Sequence, residues 1–143
     1  MPEGKNIKYT SLHRMPHGRA KPAPSTPSGP ALKRVEGLME RIVKILRQLF
    51  QERGVSLDKI VLFGSLARGI ERQDSDIDII IVSKDFREKS IFERVELIAG
   101  VGRELVRRTK KPYDMLFISD QEWDKGNSLV INAAKREGQI LYA

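Results

Sequence analysis

The chain predicts an α/β sandwich, helices packed on a small sheet, and three observations carry that expectation. Amphipathic stretches of helical period alternate with short, β-branched apolar runs. The three apolar runs, Lys59–Phe63, Asp76–Val82 and Tyr113–Ile118, have strand length. The 143 residues, 40% of them hydrophobic, suffice for one domain with one core, and no internal repeat divides them.

The first thirty residues stand apart. Six of the seven prolines lie there, with Ser, Gly and basic residues in Lys21–Pro30, a composition that cannot bury a core. This arm carries +4 of the net +7 charge. It could touch nucleic acid or be a solvated tail; scant aromatic interleaving and the lack of an arginine-rich block favour the tail. The domain proper is expected over residues 31–143. It opens with a helix whose stripe is Leu32, Val35, Leu38, Met39, Ile42, Ile45, Leu46 and Leu49, ending near Gly54.

After the second strand, Ser90 caps a single long helix whose stripe is Ile91, Val95, Ile98, Val101 and Leu105. Arg107, Arg108, Lys110 and Lys111 suit its last turn before Pro112. That connection is long enough to join parallel strands. The eleven or so residues between the first two strands allow either sense of pairing. Ser119-Asp120-Gln121-Glu122 matches a capping box, Asn127–Glu137 reads as a last helix stopped by Gly138, and Gln139–Tyr142 is a short apolar end. Trp123, Leu129, Val130 and Ile131 are expected in the core, with assembly as the other use.

Several chemistries are excluded. There is no cysteine, hence no disulfide or thiolate metal site, and His13 and His17 both lie in the polar arm. No apolar run reaches membrane-span length and no signal peptide is evident, so the expected compartment is the cytoplasm.

The chemistry-bearing residues cluster between the first two strands. Gly64-Ser65 falls where the chain leaves the sheet, in Gly64-Ser65-Leu66-Ala67-Arg68-Gly69. Glycine there permits close approach of a ligand, and a helical turn opening at Ser65 offers free N–H groups to a nucleotide phosphate. Taken alone, Gly-Ser after a strand is more often a plain turn. Asp76 and Asp78, two apart on a strand, project side by side at roughly 6–7 Å spacing, while Ile77 and Ile79 face the other layer. Asp74-Ser75-Asp76 alone could be turn chemistry, but a charge inside the isoleucine run at Asp78 is costly unless paired or metal-bound. Two such carboxylates call for a cation, and hard oxygens select Mg²⁺ or Mn²⁺. Asp114, at the start of the third strand, is placed to supply a third carboxylate.

Gly64-Ser65, ten intervening residues, Asp76-x-Asp78 and the later Asp114 resemble the signature of the nucleotidyltransferase superfamily related to DNA polymerase β, specifically its minimal nucleotidyltransferases. The resemblance spans roughly Ala31 to Ala143. It implies a mixed sheet with the acids gathered on one exposed surface. It further implies two Mg²⁺ (or Mn²⁺) ions held by Asp76, Asp78 and Asp114, with Asp114 nearest the acceptor and helping accept its proton. Gly64 and Ser65 would hold the β- and γ-phosphates, and Arg68 would add a phosphate contact or form a salt bridge instead.

Larger members carry a second domain for base or acceptor; here only about twenty-five residues follow the third strand. The resemblance therefore implies a partner, a small helical HEPN-type toxin that receives AMP from ATP, the present chain being its antitoxin. Nothing in the residues themselves identifies adenine. Two other classes stay open: a non-catalytic partner-binding module of the same fold, and an RNA-directed transferase or nucleic-acid binder using the basic arm. The arm reading predicts salt-sensitive affinity lost with residues 1–30.

Overall fold

The structure, a computed structural model, describes residues 30–68 and 76–143. The arm ahead of Pro30 and the segment Gly69–Ser75 lie outside the described residues, and with them the expected solvated tail and the turn at Asp74-Ser75.

Helix α1 runs Pro30–Glu52, with proline at a first-turn position where its missing N–H costs nothing. Gly54, in the left-handed region at φ +67°, turns the chain away from the helix. Strand β1 (Lys59–Phe63) follows, then the single-turn helix α2 (Gly64–Ala67) and β2 (Ile77–Val82). A 3₁₀ turn at Lys84–Phe86 leads to α3 (Ile91–Leu97) and α4 (Val101–Thr109). The chain closes through β3 (Tyr113–Ile118), α5 (Asp120–Lys125), α6 (Leu129–Glu137) and β4 (Gln139–Tyr142).

The sheet is mixed, in order β3-β2-β1-β4. β1 pairs antiparallel with β2 and β4, and β2 pairs parallel with β3 through the α3–α4 crossover. Three strands were expected and four are present among the described residues: the apolar end Gln139–Tyr142 is the fourth, paired with β1. Four residues carry too little alternation to declare themselves, and β4 forms because β1 offers it an open edge.

The single long helix expected from Ser90 is two. Gly100 sits at φ +86°, and the carbonyl of Ala99, freed by the break, accepts from the Arg53 side chain (Nε 3.2 Å, Nη2 2.7 Å). Ser90 does cap α3 in a capping box with Glu93. Its stripe is less buried than the periodicity suggests: Ile98, Val101 and Leu105 are in the core, whereas Ile91 and Val95 are exposed.

Period-two alternation gives the sheet two apolar faces. Ile60, Leu62, Ile77, Ile79 and Ile81 pack with Ile42, Leu46 and Phe50 of α1 and with Leu105 of α4. Val61, Ile80, Val82 and Ile118 pack with Trp123, Ile131 and Ala134 of α5 and α6. Thus Trp123 and Ile131 take the core role, while Leu129 and Val130, on the outer side of α6, are exposed. Ser119 and Glu122 form the expected capping box, and Gly138 ends α6. Arg94, buried, ties α3 to α5 by donating to both oxygens of Glu122 (2.8 and 3.2 Å) and to the Phe117 carbonyl (2.8 Å). No helix among the described residues is long and apolar enough to cross a membrane.

Candidate active site at the acidic edge of the sheet

In-register pairing brings the acids together. Asp78 on β2 is the cross-strand partner of Asp114 on β3, and on its other side faces Phe63, the last residue of β1. Registered neighbours share a face, so Asp78 and Asp114 point to the same side at strand spacing, about 5 Å. Ile77, Ile79 and Ile81 point to the α1 side, as alternation requires. Asp76, immediately before β2, is exposed, as is Asp114; Asp78 is partly buried. The acidic face is the one covered further along by α5 and α6, and at this end no described helix covers it.

Gly64 explains how Asp78 fits. Its φ of +76° lies in the left-handed region, and a Cβ added there would stand 2.2 Å from Asp78 Oδ2 and 3.1 Å from its Cγ. The glycine is therefore required twice over, by backbone conformation and by the carboxylate lying against it. Ser65 is the second residue of α2, and its side chain lies outside the described residues. Arg68, just after α2, is exposed.

Burial raises the Asp78 pKa above the ordinary carboxylate value, and the negative charges of Asp114 and then Asp76 raise it further. Asp78 thus sits within the field of the other two acids, both of which face solvent. Among the described residues, no three acidic or imidazole groups converge closely enough to cage a metal ion as they stand. The donor set still fits a hard divalent cation: carboxylate oxygens on neighbouring strand positions, one destabilised in its ionised form, within reach of each other by side-chain rotation.

Phe63 was not singled out from the sequence. It shares the acidic face, packs partly against the α5–α6 core and borders Asp78 directly. Its place follows from the antiparallel β1–β2 register, which the length of the connection left open.

The nucleotidyltransferase-domain family model matches residues 39–141, from the third turn of α1 to β4. The chain belongs to the nucleotidyltransferase domain family. The match takes in every element that forms the acidic edge, and the resemblance carried by Gly64-Ser65, Asp76-x-Asp78 and Asp114 is borne out at the level of family. No curated protein matches the chain. Among solved structures, the domain is similar to a toxin–antitoxin complex, MntA–HpeT, in a variant with two aspartates two positions apart replaced by glutamate (20% identity, 73% of this chain and 72% of that one, TM-score 0.52). It is also similar to a toxin–antitoxin structure with AMP-PNP (21% identity, 70% and 72%, TM-score 0.51). A third, from Shewanella oneidensis, is a tri-AMPylated HEPN toxin with its MNT antitoxin (22% identity, 76% and 72%, TM-score 0.48). At these identities the likeness is one of fold, a mixed sheet flanked by helices.

Proposed function

We infer that this nucleotidyltransferase domain transfers a nucleoside monophosphate, AMP from ATP, to a hydroxyl of a partner HEPN-type protein, and so acts as that protein's antitoxin. The observation that carries the transfer reading is the registered Asp78–Asp114 pair beside Gly64, with Asp76 two residues before Asp78. The partner and the nucleotide rest on likeness to the toxin–antitoxin complexes, one of them with an ATP analogue.

Asp76 and Asp78 would share two Mg²⁺ or Mn²⁺ ions, with Asp114 on the one nearer the acceptor. Such ions, when bound, supply neutralisation of the triphosphate charge and a lowered pKa for the attacking hydroxyl. The chain's own residues do the rest. Gly64 lets the backbone come close to the β- and γ-phosphates, with the Ser65 hydroxyl and the Arg68 guanidinium as further phosphate contacts. Asp114, exposed at the start of β3, faces an incoming acceptor and takes its proton. The end of the acidic face that no described helix covers leaves room for an acceptor carried on another protein, and in-line attack on the α-phosphate expels pyrophosphate.

The test is incubation of the full chain with Mg²⁺ and ATP labelled at the α-phosphate, with and without a HEPN-type partner, comparing Asp76→Asn/Asp78→Asn. Label on the partner that the double substitution removes is the expected result. Partner binding without label, unchanged by the substitutions, would replace transfer with a non-catalytic contact role.

A further inference from the structure

We propose that the solvent face of α3, with Phe92 at its centre, is the surface on which the partner protein docks, and that the segment it receives is a helix with an apolar stripe flanked by Lys or Arg. That this partner is also the acceptor rests on the transfer reading, whereas the docking is measurable without any transfer.

α3 turns its apolar residues outward. Phe92 is 83% exposed, Ile91 57% and Val95 48%. Ile91 and Val95 lie one turn apart, and Phe92 stands three residues before Val95, so the three form one continuous patch. It amounts to about 300 Å² of apolar side chain, the size that marks an interaction site rather than scattered surface residues. The helix is held firmly beneath it. Ser90 and Glu93 close its first turn in a capping box, and Arg94, buried, fastens it to Glu122 and to the Phe117 carbonyl. A partner therefore meets a surface already ordered, which lowers the cost of binding.

The charges around the patch say which occupant fits. The chain as a whole carries +7, yet the charged side chains that α3 presents to solvent are both acids, Glu93 and Glu96. Its one cation, Arg94, is turned inward. Just ahead of the helix Glu88 is exposed and Lys89 is half-buried. Two copies meeting through α3 about a two-fold axis would set Glu93 and Glu96 against the same residues of the other copy, and like charges so placed oppose pairing. Nucleic acid and anionic lipid are repelled for the same reason. An amphipathic helix with apolar residues at i, i+4 and i+7 and cations beside them satisfies both the patch and its rim.

The position of α3 connects docking to chemistry. Arg94 ties the helix to Phe117 of β3, and Phe117 lies three residues along that strand from Asp114, about 10 Å. An interface of ordinary size covers about 800 Å² on each partner, a disc about 30 Å across. A protein seated on α3 thus extends to Asp114, where an acceptor hydroxyl is needed. Binding energy gained at Phe92, remote from the reacting atoms, would hold that hydroxyl in place, and its loss should fall on KM for the partner.

The experiment is titration calorimetry of the full chain with a HEPN-type protein, without nucleotide, alongside label-transfer kinetics at saturating ATP with that protein varied. The variants are Phe92→Asp and Glu96→Lys, with Leu129→Asp, an equally exposed apolar position on α6, as control; circular dichroism checks folding. Phe92→Asp should weaken binding and raise KM for the partner by about tenfold or more. Glu96→Lys should weaken binding by about threefold or more at low salt, an effect that fades at high salt. Leu129→Asp should change neither quantity by more than about twofold. Partner binding without label, still weakened by Phe92→Asp, would uphold the docking surface and remove only the transfer reading. No binding by the wild type, unchanged binding by Phe92→Asp, indifference to Glu96→Lys, an equal loss in Leu129→Asp, or a wild-type self-dimer that Phe92→Asp dissolves would each overturn the proposal.

Discussion

Replacing Gly64 by alanine should damage the site far more than the fold. The new methyl would lie 2.2 Å from Asp78 Oδ2, against an ordinary carbon–oxygen contact of about 3.3 Å, so the carboxylate must retreat by about 1 Å. Holding alanine at φ +76° costs a further ~1–2 kcal/mol. The fold should therefore lose about 1–2 kcal/mol, a fall in Tm of about 4–8 °C by calorimetry. A misplacement of about 1 Å at a reacting centre is worth about a hundredfold in rate. Label transfer from ATP by Gly64→Ala should drop at least that far, measured below Tm where the protein is folded. If Gly64 acts by making room for Asp78, its loss should cost little more in a chain already carrying Asp78→Asn. Full activity in Gly64→Ala, or additive losses in the double variant, would refute the reasoning.

Three further outcomes follow from the same structure. Asp78 has a raised pKa, so its ionised form disfavours folding at any pH above that pKa. Asp78→Asn should accordingly leave Tm unchanged or raise it at neutral pH in the presence of chelator, and that difference should vanish as pH falls below the raised pKa. Metal-dependent nucleotide binding needs the carboxylate ionised. Titration calorimetry should show affinity falling with pH at a higher pH than a free aspartate would require. Arg94→Met strips Glu122 and the Phe117 carbonyl of their buried donor and should lower stability by about 2–3 kcal/mol in urea denaturation, tempered by the exposure of Glu122. Glu122, whose pKa the Arg94 guanidinium holds down, should lend that pair its stability above the ordinary glutamate range and lose it as pH falls through the lowered value.

The acidic edge was legible in the sequence because its signals are local. A carboxylate inside Ile77–Val82 has no structural reason to be there, and strand alternation placed Asp76 and Asp78 together before any partner strand was known. Their meeting with Asp114 needed only β2 and β3 to be parallel, which the length of the intervening helical segment provided. What escaped was set by tertiary neighbours. At the break before Gly100, the Ala99 carbonyl is taken up by Arg53, far away in sequence. The four residues of β4 become a strand only against β1, and Phe63 joins the acidic face only through the antiparallel register. Leu129 and Val130 show the limit of apolar pattern: Ile131 takes the inward position, and its two neighbours are turned to the surface.

The most direct test of the account is anomalous diffraction from crystals of the protein grown with Mn²⁺ and a non-hydrolysable ATP analogue. The account predicts manganese at about 2.2 Å from carboxylate oxygens of Asp76, Asp78 and Asp114, with the analogue's phosphates against the Gly64–Ser65 backbone. Nucleotide bound elsewhere, or an acidic edge without manganese beside bound nucleotide, would contradict it.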